Sequence, residues 1–396
     1  MKEIIVNSAE DKSIITVVEN GNLLEKYEEY DSLERLEGNI YFGKVVDILP
    51  GMQAAFVDIG DNKNAFLHIK DILPKVSNQT GNKNEDLNKY NIRDYVKTGM
   101  PVIVEVKKDK TDKKGAKVST NLNIAGKFVV IIPNSEFITL SQKIEDKKEI
   151  ERLNNIVNKL EVDNYGIIIR TSAINASEEQ IKEDIKEVIC IYENIKNNAD
   201  KIIKNKEKIP TLLYEKGSII KRLLLDIGHQ GLDKVIVNSE SASNLVKELL
   251  KGINLKIDVE FIKKENILDM YNLEKQIEKI SNRKVWLNCG GFITIDQTEA
   301  LTAIDVNSGK FTGKENIEKT VLKVNSEATI EIAKQIRARD IGGIVIIDYI
   351  DMDKKEDEEI IQNLLLEHLK KDRAKTQVVG FTKLHLLEMT RKHICS

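Results

Sequence analysis

The chain has 396 residues, 41% hydrophobic and 32% charged, with 61 Lys and Arg against 64 Asp and Glu for a formal net charge of −3. That length builds several cores and more than one domain, and the balanced charge excludes a globally basic nucleic-acid binder, so any grip on a polyanion must come from local clusters. No apolar run reaches the ~18 residues of a membrane span, the start MKEIIVNSAEDK is charged where a signal peptide is apolar, and Cys190, Cys289 and Cys395 are scattered without a CxxC pair; a cytoplasmic chain with no membrane span, no disulfide framework and no structural zinc site is predicted.

Residues 1–36 open with two apolar runs, at 4–6 and 14–18, and Asn20-Gly21 is a hairpin signal. This is a sheet fragment too short to fold alone. From Gly38 the pattern shifts to closely spaced strands with turn signals at Pro50-Gly51 and Gly60-Asp61 and a later strand at 102–104, as in a small OB-type barrel. Phe56 and Phe66 read either as barrel core or as outward rings on which a base stacks. His68 reads as a barrel-surface residue. Residues 75–92 are polar and Asn-rich, an insertion. KKDKTDKKGAK at 107–117 holds six lysines against two aspartates, which is either a solvated turn or an electrostatic grip on phosphates.

Strands are predicted at 129–132 and 167–169, the second ending at Arg170-Thr171. An arginine and a hydroxyl there suit an anion, and equally suit a surface Arg followed by a capping Thr. A charged helix follows at 178–206 with Ile181, Ile185, Ile189 and Ile195 as its apolar stripe. Residues 211–282 alternate helical segments (218–228, 242–251) with strands (234–237, 256–261), an α/β pattern in which Asp226 reads as an ordinary helix-face residue.

The last third carries the chemistry. LTAI at 301–304 and IVII at 344–347 read as buried strands, and each stops at an aspartate, Asp305 or Asp348. Between them residues 317–340 keep helical spacing without proline, so the three elements form a β-α-β unit. Its strands are parallel and end at one sheet edge, which brings Asp305 and Asp348 to one crevice. The bland alternative for each Asp is a strand-end turn. Paired, the two carboxylates repel unless they share a cation, and Asn307 adds a neutral oxygen; an all-oxygen set suits Mg²⁺. Asp351 and Asp353 are expected to tie down the start of the next helix (355–371), and Lys375 and Arg391 are candidate phosphate contacts. His229, His368 and His385 lack metal-ligand spacing.

IDQTEALTAIDVNSGKF at 295–311 followed by RDIGGIVIIDYIDM at 339–352 resembles the catalytic signature of the RNase E/RNase G endoribonucleases. The resemblance extends over nearly the whole chain. It implies a multidomain α/β fold: an RNase H-like subdomain made of residues 1–36 and 211–282, interrupted by an S1-type OB barrel (37–119) and a 5′-sensor subdomain (120–210), then a DNase I-like catalytic subdomain (283–396). The RNase H-like part would lack that fold's usual catalytic acids. Asp305 and Asp348 would hold magnesium and Asn307 would orient the scissile phosphate, with hydrolysis by a metal-activated water. Phe56, Phe66, Lys108 and Lys114 would contact RNA. Gly126, Val130, Arg170 and Thr171 would sense a 5′-monophosphate, with IAG standing where the family has LAG.

The implied activity is cleavage of single-stranded, A/U-rich RNA in rRNA processing and mRNA turnover, leaving 5′-phosphate and 3′-hydroxyl ends. The family continues with a CPxC-type cysteine pair that shares zinc between chains, whereas this sequence stops at RKHICS. A homodimer stays open and a zinc-linked tetramer is doubtful. Two rival readings are a non-catalytic RNA-binding scaffold and a DNA nuclease; the paired aspartates argue against the first, and the barrel does not by itself distinguish the two sugars.

Overall fold

The structure, a computed structural model, describes residues 1–30, 35–73, 90–111, 113–160, 162, 164–309 and 317–394. The 75–92 insertion up to its last three residues, Asp112 of the lysine run, Lys310 and Cys395 lie outside the described residues. Two compact units form, one from Met1–Leu33 with Gly231–Cys395, the other from Glu34–Gln230. Among the described residues no helix is long and apolar enough to cross a membrane.

Strands β1 (Lys2–Ser8), β2 (Lys12–Glu19) and β3 (Asn22–Tyr30) make an antiparallel meander. Asn20 and Gly21 both take positive φ at the β2–β3 turn, as Asn-Gly chemistry requires of a tight hairpin.

The Glu34–Gln230 unit begins with β4 (Ile40–Leu49), β5 (Ala54–Asp58), β6 (Ala65–His68), β7 (Pro101–Lys108) and β8 (Lys117–Ser119). They pair in the order β4-β5-β6-β8-β7, and β7 returns to β4, closing a five-stranded OB-like barrel. Val45, Val57, Leu67, Val104 and Val118 point inward and are fully buried, and Ile92 of the short helix α1 (Ile92–Tyr95) joins them. A bulge between Val45 and Asp47 bends β4 into the barrel. Beside it a Cβ on Gly43 would stand 2.7 Å from the Asp58 carbonyl oxygen, so only glycine allows this approach.

A four-stranded sheet follows, β9 (Ile124–Ala125), β10 (Val129–Pro133), β11 (Ile138–Leu140) and β12 (Tyr165–Ile169), ordered β11-β12-β10-β9. It packs on α2 (Lys147–Val157) and α3 (Glu178–Asn205). Helix α3 starts at a Ser177/Gln180 capping box and buries Ile181, Ile185, Val188 and Ile195 as one stripe. Strand β13 (Thr211–Tyr214) pairs with β4, and α4 (Ile219–Ile227) lies in the same unit. Residues 211–230, expected with the segment that follows them, therefore fold with the barrel, because β13 finds its hydrogen-bond partners there.

The chain returns to the first unit with β14 (Lys234–Val237), α5 (Glu240–Gly252), β15 (Asp258–Phe261) and α6 (Leu273–Ser281). Strands β14 and β15 add in parallel to β1, giving the sheet β15-β14-β1-β2-β3. A second sheet holds β16 (Lys284–Trp286), β17 (Phe292–Gln297), β18 (Leu301–Asn307), β19 (Gly343–Asp348), β20 (Thr376–Phe381) and β21 (Leu386–Arg391), in the order β16-β17-β18-β19-β21-β20. Helix α7 (Ile317–Ala338) is the crossover between the parallel β18 and β19, and α8 (Lys355–Leu369) follows β19. Ile293, Ile304, Val345, Ile347 and Leu387 of the sheet bury against Val324, Ile332, Ile336, Ile361 and Leu365 of these helices. Period-2 alternation leaves the other face of the sheet bearing Thr294, Ala303, Asp305, Ile344 and Asp348.

Two buried ion clusters fix this unit. Glu25 of β3 accepts from Arg337 of α7 (2.8 and 3.0 Å), from Arg373 (2.8 Å) and from Tyr27 Oη (2.8 Å). Arg391, a candidate phosphate contact from sequence, is instead fully buried. It donates to Asp372 at 2.6 Å and to Asp340 at 2.7 Å, so its charge is spent inside the fold. Its place on β21 directs it inward, a consequence of strand register that spacing along the sequence does not reveal.

Candidate functional site

The parallel register sets Asp305 of β18 directly beside Asp348 of β19. Both carboxylates are exposed on the open face. Asn307, two residues along β18 and so on the same face, donates from Nδ2 to Asp305 Oδ2 at 2.6 Å, and Thr294 Oγ1 stands 3.5 Å from that oxygen. The Asp348 carboxyl is pushed above the usual carboxylate range, first by burial and then by the charges of Asp305 and Asp351. A divalent cation held between the two carboxylates would relieve that repulsion. The donors are two carboxylates and an amide, with no His or Cys among the described neighbours in register, and among the described residues no cluster of three or more His, Cys, Asp or Glu is arranged to hold a metal. A set with few protein oxygens fits magnesium, which keeps several waters and binds through one or two carboxylates plus substrate phosphate. Asp351 and Asp353 are exposed and neither caps α8; Lys354 is its N-cap and makes no side-chain cap bond, while Glu356, Asp357 and Glu358 supply negative charge to the first turn.

On the barrel, Phe56 and Phe66 are register partners on β5 and β6, with ring centroids 6.2 Å apart, edge to face. They alternate with the buried Ala55, Val57, Ala65 and Leu67, so they lie on the outer face and not in the core. The same row continues across the barrel from Phe66 to Lys117 on β8 and Lys108 on β7. His68 is also on this face; its Nδ1 accepts from the Lys70 backbone N–H, and burial lowers its pKa. Three lysines of the run are partly neutralised: Lys107 by Glu105 (2.5 Å), Lys110 by Asp61 (2.5 Å) and Lys117 by Asp71 (2.9 Å). Lys108, Lys113 and Lys114 are exposed and form no ion pair among the described residues. Half-buried rings on the outer face beside exposed ammonium groups are the kind of surface on which bases can stack and to which a phosphate backbone is attracted.

A third group gathers where β9, β10 and β12 meet α3 and α4. Arg170, at the end of β12, donates to the Gly126 carbonyl at 2.5 Å and pairs with Asp226 of α4. Gly126, half-buried Val130 and Thr171, the residues that the family resemblance sets with Arg170, stand near it in the sheet and the following turn. Two residues here escaped sequence reading. Asp226, read as an ordinary helix-face residue, is the partner of Arg170. Asp184 of α3, buried, accepts from the backbone N–H groups of Lys127, Phe128 and Val129 at 2.9, 2.7 and 3.0 Å. Its carboxyl is pushed up by burial and drawn back by these three bonds. A Cβ on Gly126 would lie 2.6 Å from both Asp184 oxygens and from Val188 Cγ2. Glycine is thus required for α3 to approach this loop. The nearest sequence signal was an acidic residue interrupting the apolar stripe of α3 between Ile181 and Ile185.

An outward aromatic and basic row on an OB-like barrel, together with an all-oxygen carboxylate pair on an open sheet face, are the parts of a protein that handles nucleic acid. Comparison with known proteins makes this specific: the chain belongs to the ribonuclease E/G family, whose model matches residues 123–394. It is 36% identical over 396 residues to Ribonuclease G of Salmonella typhimurium, covering 98% of this chain and 79% of that protein. Ribonuclease G of Haemophilus influenzae is 36% identical over 395 residues with the same coverage. Ribonuclease E of Buchnera aphidicola subsp. Schizaphis graminum is 32% identical over 403 residues, covering 100% of this chain and 41% of that longer protein.

Proposed function

We infer that this chain is an endoribonuclease of RNA processing that hydrolyses single-stranded RNA at Asp305, Asp348 and Asn307. The observation that carries the reading is the register that places the two carboxylates side by side, with Asn307 bonded to one of them, on a sheet face left open. Asp305 and Asp348 would hold magnesium, which when bound supplies charge neutralisation at the phosphate and an activated water. Asn307 fixes the Asp305 carboxylate and offers its amide to the scissile phosphate. The exposed Asp305 and Asp348, with half-buried Asn307 beside them, leave room for an RNA strand along the sheet.

The remaining parts serve binding. Phe56 and Phe66 stack bases of the single strand, and Lys108 and Lys114 hold its phosphates, so affinity falls with salt. Arg170, Thr171, Gly126 and Val130 receive a 5′-monophosphate, the guanidinium as an anion fork, which stimulates cleavage. A/U-rich sites and 5′-phosphate with 3′-hydroxyl products complete the reading, drawn from the family resemblance. In fold terms we take the β15-β14-β1-β2-β3 sheet as the RNase H-like part, the barrel as an S1 domain, the β9–β12 sheet as the 5′-sensor subdomain and the β16–β21 sheet as the DNase I-like part, near residues 1–36 with 231–282, 37–119, 120–210 and 283–396.

The test is cleavage of a short A/U-rich RNA bearing a 5′-monophosphate or a 5′-hydroxyl, with Mg²⁺ or EDTA, by wild type and by Asp305→Asn with Asp348→Asn. Magnesium-dependent cuts that vanish in the variant, and faster cutting of the monophosphate, are expected. RNA bound but uncut by wild type makes the chain an RNA-binding scaffold, and equal cutting of a matched DNA strand makes it a general nuclease.

A further inference from the structure

The open sheet face that bears the carboxylates also carries an aromatic pair that the proposed chemistry does not use. Trp286 on β16 and Phe292 on β17 are register partners with ring centroids 5.3 Å apart, and Phe292 is in turn the register partner of Asn307 on β18. The row Trp286, Phe292, Asn307 runs straight across three strands, which puts the Trp286 backbone two strand spacings, about 10 Å, from that of Asn307. The neighbouring row is Lys284, Thr294, Asp305, Asp348. Lys284 Nζ lies 4.1 Å from the Trp286 ring centroid and 3.5 Å from that of Phe292. Trp286 is 57% exposed and is the single tryptophan of the chain.

We propose that Trp286, braced by Phe292 and Lys284, is a stacking subsite for the base of a single-stranded RNA nucleotide adjoining the phosphate held at Asp305 and Asp348. The inference rests on the reading of those carboxylates as the cleavage site. Three physical points carry it. A large aromatic surface left in water beside a polar cleft is a binding feature more often than a structural one. Two neighbouring carboxylates repel a phosphodiester backbone, so a strand needs attractive contacts close by, and an aromatic face with an ammonium group offers stacking to the base and a counter-charge to the phosphate together. The cation–π contacts of Lys284 with both rings order the platform before RNA arrives, which cuts the entropic cost of stacking. Stacking is tolerant of base identity, so the subsite holds a strand in line without dictating sequence.

Because Trp286 is alone, intrinsic fluorescence reports on this subsite without labelling. The full chain carrying Asp305→Asn and Asp348→Asn is titrated with a short single-stranded RNA, following tryptophan emission and, in parallel, anisotropy of a labelled 5′ end. A second series uses the same RNA with one abasic nucleotide placed at successive positions. We expect emission to be quenched along the binding curve, and quenching to disappear for abasic placement beside the cleavage position mapped with wild type. Trp286→Ala should weaken binding roughly 10-fold, with Trp286→Phe recovering most of it, while far-ultraviolet circular dichroism stays unchanged. Anisotropy that saturates with emission unchanged by any RNA overturns the proposal and assigns the face to another occupant, such as the apolar side chains of a protein partner. Wild-type cleavage separates the two ideas: cutting without quenching sinks the subsite alone, and quenching in a chain that never cuts sinks the reading of the carboxylates.

Discussion

Replacing Glu25 by Gln tests how the first unit is held together. Burial pushes this carboxyl up, but the charges of Arg373 and Arg337, with hydrogen bonds from Arg373 and Tyr27, outweigh it and hold the pKa at about 2 against an ordinary 4.5. At about 1.4 kcal/mol per tenfold, that difference corresponds to about 3 kcal/mol of stability. Glutamine keeps the shape but leaves two largely buried guanidinium groups without their counter-charge, a loss in the range of about 3–5 kcal/mol. For a unit of roughly 200 residues, 3 kcal/mol lowers the melting temperature by about 6–12 °C. The sign with pH is fixed by the depressed pKa: the contribution is complete above 4.5 and is lost as pH falls toward 2. The gap between wild type and Glu25→Gln should therefore narrow by about 1 kcal/mol at pH 4 and about 2 kcal/mol at pH 3. Melting curves by circular dichroism at pH 7, 5, 4 and 3 measure this. Equal melting temperatures at pH 7, or a gap that does not close in acid, would refute the electrostatic account of this cluster.

Other outcomes follow from the second unit. Gly126→Ala drives a methyl into Asp184 and Val188 and should destabilise the unit by roughly 2–4 kcal/mol, seen as a lowered urea midpoint; an unchanged midpoint contradicts the close packing. Phe66→Ala should weaken single-stranded RNA binding by about 1–3 kcal/mol at every salt concentration, while Lys108→Ala reduces the slope of log affinity against log salt; a slope change from the Phe variant would reverse the assignment. Asp226→Asn removes the carboxylate that competes for Arg170, so a 5′-monophosphorylated RNA should bind several-fold tighter relative to its 5′-hydroxyl counterpart. Weaker discrimination in that variant would show that Asp226 serves the site by orienting Arg170.

Much of this architecture is written in local pattern. The runs ending at Asp305 and Asp348, the crossover helix between them and the alternating strands of the barrel are all short-range signals, and each element forms within a few residues of the expected bounds. The Asn307 to Asp305 bond follows from period-2 geometry on one strand. What stayed hidden depends on register or on distant partners. Asp226 meets Arg170 across 56 residues, and Glu25 meets Arg337 across 312, separations at which no local signal exists. Arg391 looks like a surface cation until its strand register turns it inward onto Asp372 and Asp340. Trp286 and Phe292 lie six residues apart, yet only the β16–β17 pairing shows that they are one platform in line with Asn307. Phe56 and Phe66 were open between core and surface, and the barrel phase decides for the surface.

The most direct test of the central claim is anomalous X-ray scattering from crystals of the protein soaked in Mn²⁺ as a stand-in for magnesium. The account predicts a peak within coordination distance of carboxylate oxygens of both Asp305 and Asp348, lost in Asp305→Asn together with RNA cleavage. Cleavage that persists in Asp305→Asn, or an ion bound by other residues while that crevice stays empty, would contradict it.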